Sequence, residues 1–219
     1  MSLATIRTVM PRPRLASGGW YERAKRSIDI LGAGLGLLLL APCLLLVALA
    51  IRLDSPGAVL FSQTRVGLNG RHFRCWKLRS MYVDAEQRLA ELQSQNEMAG
   101  GVLFKMKRDP RITRVGRFIR KASIDELPQL WNVLVGDMSL VGPRPPIPAE
   151  VARYTRRQLQ RLAVTPGITC FWQVAGRSDI PFEEQVELDL EYVRKRSFLV
   201  DLEILLKTVP AVLLARGAY

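Results

Sequence analysis

Histidine is almost missing from this chain: His72 is the only one in 219 residues. That excludes multi-histidine metal sites and leaves a serine-histidine-aspartate triad only one imidazole, in a strand-like stretch where a structural role is the default. Cysteine is scarce too. Cys43, Cys75 and Cys170 are odd in number, far apart and without C-x-x-C spacing, so neither a disulfide framework nor a zinc site is indicated. The chain reads as facing a reducing compartment. Acidic residues are outnumbered, 20 against 32 Lys and Arg, giving a formal charge of +12 and a pI near 10.3. Such a balance points to anionic partners: nucleic acid, phosphorylated small molecules or an acidic membrane face. Length allows one domain or a domain with an appendage.

Charge is wholly absent between Ile30 and Ile51, and the leucine-rich run there is long enough to be membrane-embedded. It is too long for a usual signal-peptide core and has no convincing cleavage site after it. Arg23, Lys25 and Arg26 precede the run and Arg52 follows it, so positive-inside logic wants both flanks on one side. Pro42 sits near the middle and cannot donate a backbone hydrogen bond. Two half-helices of about ten to twelve residues reach only about 15–18 Å, roughly half the hydrocarbon core. These observations predict a re-entrant helix-break-helix at Pro42, with a proline-kinked spanning helix as the alternative. The chain then divides into a basic leader over 1–22, the membrane segment over 23–53 and a cytosolic domain over 54–219.

Past the turn cluster Asp54-Ser55-Pro56-Gly57 the period changes. Val59–Arg65 and Phe73–Arg79 flank Asn69-Gly70, a β-hairpin signal. Lys77 and Arg79 alternate with Trp76 and Leu78, which makes one face of the second strand cationic, either to hold a phosphate or simply to be solvated. Tyr82–Glu97 reads as a charged helix. Asp109–Lys121 is amphipathic, with Ile112, Val115 and Ile119 opposite Arg114, Arg117, Arg120 and Lys121, and suits a membrane interface or an acidic ligand. Pro148–Leu162 reads as a helix whose arginines, Arg161 among them, form a solvated or lipid-facing side. Residues 165–179 make a Gly-rich aromatic loop, fit to stack a base or merely to connect. Pro181–Arg196 and Phe198–Leu214 read as helices, the last lying on the core or on a membrane surface. The fold class is therefore α+β, mainly helical, with a small hairpin and amphipathic interfacial helices.

Two adjacent carboxylates, Asp125 and Glu126, stand in this cationic background, preceded by Arg120 and followed by Pro143-Arg144-Pro145, whose prolines fix the backbone around one guanidinium. Ser123 and Glu126 also have capping-box spacing ahead of a helix, so chemistry and helix initiation both remain open for this stretch.

Several ordered motifs coincide: Lys25-Arg26-x-x-Asp29, Phe61-Ser62-Gln63-x-Arg65-x-Gly67, Lys77-Leu78-Arg79-Ser80-Met81, Asp125-Glu126-Leu127-Pro128-Gln129-Leu130, Gly136-Asp137 through Arg144-Pro145, Pro166-Gly167-Ile168-Thr169 and Gly176-Arg177. Carrying these, the chain from about Tyr21 onward resembles the bacterial sugar transferases, the monotopic phosphoglycosyl transferases, in their short form. The resemblance implies that Asp125 attacks the β-phosphorus of a UDP-sugar, that UMP leaves, and that undecaprenyl phosphate then takes the phosphosugar. It also implies that Glu126 holds Mg2+, that the re-entrant helix sits in the cytoplasmic membrane, and that catalysis is cytosolic, in exopolysaccharide, O-antigen or glycoprotein glycan assembly. Lys77, Arg79, Arg120, Arg144 and Arg177 are the candidates for the diphosphate and nucleotide. Expected partners are membrane lipid and the two substrates, not nucleic acid, with a homo-oligomer left open. Two positions depart from the family: Cys170-Phe171 replaces a frequent glycine, and Ala41 precedes the proline where a small polar residue is usual. A non-catalytic, membrane-anchored basic module is the competing reading, and it leaves Asp125 and Glu126 without a task.

Overall fold

The computed structural model describes residues 19–92, 106, 109–176 and 179–214. Most of the expected leader, and part of the expected helix over Tyr82–Glu97, therefore lie outside the described residues. Helix α1 (Gly19–Asp54) is the one described helix long and apolar enough to cross a membrane, and only 6% of its most apolar window is buried. That exposure is incompatible with the core helix of a soluble protein, which hides its apolar surface.

Pro42 lies inside α1 without ending it, which corrects the expected division into two separate half-helices. Proline removes a single hydrogen bond, and the apolar residues on both sides keep the rest of the ladder intact. One face of α1 nevertheless rests on the globular portion on both sides of that proline. Ala33, Leu37 and Leu40 pack with Leu130, Val133 and Met138, while Leu44, Val47 and Ile51 pack with Leu78 and Ile119. The opposite face exposes Leu31, Leu35, Leu38, Leu45, Leu46, Leu49 and Leu53.

Polar contacts fasten both ends. Near the start, Tyr21 and Lys25 each meet Asp201 at 2.8 Å, Arg26 donates to the carbonyls of Val133 and Leu134, and Asp29 accepts from the Ser139 hydroxyl and the Leu140 amide. At the far end Arg79 donates to the carbonyls of Ser55 and Pro56, and Asp54 accepts from the Val115 amide at 3.0 Å. The two Arg26 donors fill carbonyls that the end of the helix carrying Val133 and Leu134 leaves open.

Strands β1 (Leu60–Val66) and β2 (His72–Leu78) pair antiparallel with Arg65 opposite Phe73 and Phe61 opposite Lys77. Asn69 and Gly70 both take positive φ in the connection, as the turn signal requires. Next come α2 (Ala85–Leu92), α3 (Arg114–Lys121), a 3-10 turn over Ile124–Glu126 and α4 (Gln129–Val135). A second, parallel pair, β3 (Ser139–Val141) with β4 (Gly167–Thr169), encloses α5 (Pro148–Val151) in its connection. The chain ends in α6 (Phe171–Ala175), α7 (Phe182–Lys195) and α8 (Phe198–Leu214). On α8, Leu199, Leu206 and Val209 are exposed while Asp201 is buried, the reverse of a water-facing helix.

The expected helix over Pro148–Leu162 is instead α5 followed by a 3-10 segment over Gln158–Ala163. Thr155 and Gln158 close a local side-chain turn that competes with helix propagation. Arg161 is accordingly not solvated: it is buried against Asp189 at 2.5 Å.

Helix α3 lies very close to the segment after β2, because Gly116 has no side chain. A Cβ there would stand 1.9 Å from the Ser80 carbonyl oxygen, a backbone atom that cannot step aside. Gly116→Ala is expected to lower stability by at least about 2 kcal/mol in a detergent thermal melt. Gly34→Ala, whose Cβ would meet only Leu134 at 3.9 Å, is expected to leave the melting point unchanged or raise it.

Candidate active site

The Asp125-Glu126 turn hangs between α3 and α4. Ser123 enters it with φ 56°, a left-handed conformation uncommon for a residue with a side chain, and its hydroxyl caps nothing. The capping-box reading is therefore not realised; Pro128 precedes α4, and the Glu126 carboxylate points elsewhere. It accepts from the Lys77 ammonium at 2.5 Å.

Asn132 makes that meeting possible. From α4, buried to 1% exposure, its amide accepts from the Trp76 N–H and donates to the Arg74 carbonyl, fixing the helix against β2 on either side of Cys75. Lys77, two residues further along the same face of the strand, is thus held opposite the turn.

The two carboxylates then differ sharply. Burial pushes Asp125 up to about 6; the Lys77 charge opposes this and the Glu126 charge adds to it, with Arg120 a weaker opponent. Burial also acts against ionised Glu126, but the charges of Lys77 and Arg144 and the Lys77 hydrogen bond draw it down to about 2. Glu126 is the anion of a fixed ion pair. Asp125, 8% exposed and affected by Lys77 and Arg120 only through their charge, is the more basic carboxylate.

Arg144 sits half-buried in its proline frame, and the frame is tied to β1: the Val66 amide donates to the Pro146 carbonyl and Arg65 to that of Pro145, both at 2.9 Å. A cleft results, lined by Arg65, Lys77, Glu126, Gln129, Arg144 and Gln173. Of the basic residues singled out from sequence, Lys77 and Arg144 line it and Arg120 flanks Asp125 from α3. Arg79 does not line it: β2 ends at Leu78, and the Arg79 guanidinium turns to the carbonyls at the end of α1. Arg177 lies outside the described residues. Arg65, Gln129 and Gln173 were not singled out. Arg65 was recoverable, because the hairpin register puts it on the face shared by Lys77.

Among the described residues no three His, Cys, Asp or Glu side chains gather to hold a metal. A single hard carboxylate, that of Glu126, fits a divalent cation whose remaining ligands are phosphate and water, rather than a protein cage. A larger cavity at the start of α1 is lined by Lys25, Arg26, Asp29 and Arg196. Its charges serve architecture: Lys25 pairs with Asp201, Arg196 with Glu22, and Asp29 holds β3.

The family model described as "Bacterial sugar transferase" matches residues 20–215. "Galactosyl transferase CpsE" of Streptococcus agalactiae is 51% identical over 196 residues, 89% of this chain and 43% of that protein. "Exopolysaccharide production protein ExoY" of Rhizobium meliloti is 41% identical over 199 residues, covering 90% and 88%. "UDP-glucose:undecaprenyl-phosphate glucose-1-phosphate transferase" of Caulobacter vibrioides is 42% identical over 225 residues, covering 99% and 78%. The chain thus spans less than half the length of CpsE but most of ExoY. With the match running from the first turn of α1 through α8, and so across the whole carboxylate turn and its cleft, the chain belongs to the bacterial sugar transferase family.

Proposed function

We propose that this protein transfers a sugar 1-phosphate from a UDP-sugar to undecaprenyl phosphate at the cytosolic face of the cytoplasmic membrane, for exopolysaccharide or related glycan assembly. The observation that carries the reading is the pair of unequal carboxylates: a buried, basic Asp125 with no ion pair among the described residues beside a Glu126 locked to Lys77. The names of the relatives from Caulobacter vibrioides and Salmonella typhimurium, which specify undecaprenyl-phosphate sugar phosphotransferases, support the substrate classes.

In this mechanism an Asp125 carboxylate oxygen attacks the β-phosphorus, the bond to the bridging oxygen breaks, and UMP leaves with that oxygen. The acyl phosphate on Asp125 carries the sugar. A phosphate oxygen of undecaprenyl phosphate then attacks the same phosphorus and returns the carboxylate. Lys77 and Arg120 flank the attacking group, and their charges offset the repulsion between a carboxylate and a phosphoryl anion. Glu126, with Asp125 adjacent, is the side chain fit to hold Mg2+. When bound, that ion neutralises phosphate charge. Adjacent residues of a tight turn point apart, so one carboxylate can approach phosphorus while its neighbour binds metal.

The contacts that α1 makes on both sides of Pro42 with one globular portion support the re-entrant arrangement, in which the segment enters and leaves by the same face. The apolar residues exposed on its other side, with Phe118 of α3 and Leu199 and Leu206 of α8, provide lipid-facing surface. In a Cys43→Ala background, whose remaining Cys75 and Cys170 are buried, Arg23→Cys and Ala58→Cys are both expected to react with an impermeant maleimide in inside-out vesicles and neither in intact spheroplasts. Labelling of one position from each side would instead mean a spanning helix.

Detergent-solubilised protein given a panel of UDP-sugars and undecaprenyl phosphate should release UMP with Mg2+ and not with EDTA. Asp125→Asn is expected to lose at least about a thousandfold in rate and all covalent phosphosugar by intact-protein mass spectrometry, since an amide is no nucleophile at phosphorus. Near wild-type turnover by that variant would remove Asp125 from the role.

The acid limb of activity follows from Asp125. Its carboxylate must be ionised to attack, and it takes up a proton as pH falls through about 6. The kcat/KM for the UDP-sugar is therefore expected to be flat above neutrality and to drop about tenfold per pH unit well below that point. A limb centred near 4, where an ordinary aspartate titrates, would contradict this assignment.

A further inference from the structure

The cleft beside Glu126 carries more positive charge than its carboxylate balances. Arg65, Lys77 and Arg144 line it with Glu126 as their counter-charge, and Lys77 is already paired with that group. Arg65 stands out. It is 7% exposed, yet among the described residues its guanidinium contacts no carboxylate: Nη1 donates to the Pro145 carbonyl, Nη2 to the Gln63 side-chain oxygen at 2.7 Å, and Nε has no acceptor there. Burial draws its pKa down to about 10; the nearby Arg144 charge adds to the fall, and the charges of Cys75, Glu150 and Glu126 oppose it without cancelling it. A buried cation next to another cation, held by neutral oxygens alone, is costly unless an anion arrives.

We infer that Arg65 and Arg144 form a two-guanidinium clamp for the phosphate of the departing nucleoside monophosphate, with Lys77 between that phosphate and the one undergoing attack. The inference rests on the transferase reading and gives the diphosphate a direction. Arg120 serves the Asp125 end of the site, while Arg144 and Arg65 serve the Glu126 end. The Arg120 end adjoins the membrane segment, because α3 packs on α1 through Ile119 and Ile51 and exposes Phe118 beside them. A lipid phosphate approaches most directly from there. The Arg65 end is enclosed by β1, the Pro143–Pro146 loop and Gln173 of α6, so it suits the water-soluble nucleotide. Fork-shaped guanidiniums bind phosphate through paired donors, and each such contact is worth about ten- to a hundredfold in affinity.

The experiment is UMP binding by calorimetry to the full-length protein in detergent, beside steady-state KM values. Arg65→Gln is expected to weaken UMP at least about tenfold and to raise KM for the UDP-sugar to match, with KM for undecaprenyl phosphate unchanged. Arg65→Lys, which keeps the charge but not the fork, should show an intermediate loss and stands in if the glutamine variant fails to fold. Because Arg65 also holds the Pro145 carbonyl, the same substitutions are made in an Arg144→Gln background. A further loss of several-fold there supports direct phosphate contact. A loss that vanishes there reduces Arg65 to a positioning residue and overturns the clamp. Unchanged UMP affinity, or a rise confined to KM for undecaprenyl phosphate, overturns it as well, while Mg2+-dependent UMP release by the wild type would leave the transferase reading standing. Failure of the wild type to release UMP from any UDP-sugar would overturn both.

Discussion

The ion pair between Lys77 and Glu126 sets the character of this site. Two adjacent carboxylates in a cationic surrounding, Asp125 buried and Glu126 partly so, begin as near equivalents; a single ammonium at 2.5 Å from one of them separates their chemistry. Glu126 becomes the stable anion. Asp125 is left with the penalty of burial and the repulsion of its neighbour, and so becomes the stronger base. The pairing depends in turn on Asn132, whose amide bridges backbone groups of β2, and on the left-handed Ser123 that turns the chain between α3 and α4. Strain at a residue with a side chain persists only where surrounding contacts hold it, and here those contacts converge on the reactive pair.

The same logic of charge on backbone carbonyls joins the membrane segment to the site. Arg26 holds the C-terminal carbonyls of α4, and Arg79 holds those just beyond α1. Asp54 meets the first turn of α3, the helix that carries Arg120. Each contact fastens α1 to an element that presents a candidate site residue. A shift of α1 is therefore a shift of the platform under Asp125. Apolar contacts alone allow sliding, whereas charged hydrogen bonds to carbonyls fix direction as well as proximity.

Much of this was legible in the sequence, and the failures share a cause. The charge-free run, the Asn69-Gly70 turn, the final two helices and the carboxylate pair announce themselves through local composition or period. What sequence could not supply was the partner across space. Arg79 alternates properly with Lys77, but the strand stops one residue before it and the side chain leaves for α1. Arg161 belongs to a basic run that looks solvated, and it is buried because Asp189, far along the chain, is there to receive it. Ser123 and Glu126 have the spacing of a cap, yet Lys77 takes the glutamate. The parallel pairing of β3 with β4 had no periodic signal at all, since three-residue strands are too short to show one.

Keeping Asp125 basic has a thermodynamic consequence. A buried aspartate that titrates near 6 in the folded chain, against about 3.9 when unfolded, favours the folded state while protonated. As pH rises from 4 to 6 the unfolded chain ionises at this position first, so the contribution of Asp125 to stability falls, while the lowered Glu126 contributes in the opposite sense. Moving Lys77 onto Asp125 would recover much of that stability and would also remove the basicity on which the proposed attack depends. The fold instead gives its ammonium to Glu126 and leaves Asp125 exposed to the charges of Lys77 and Arg120 only at a distance. The destabilised carboxylate is then relieved by whatever neutralises or consumes it. In the proposed transfer, attack on a phosphoryl group would be such an event, because a bond to phosphorus would remove the charge that the buried turn tolerates least.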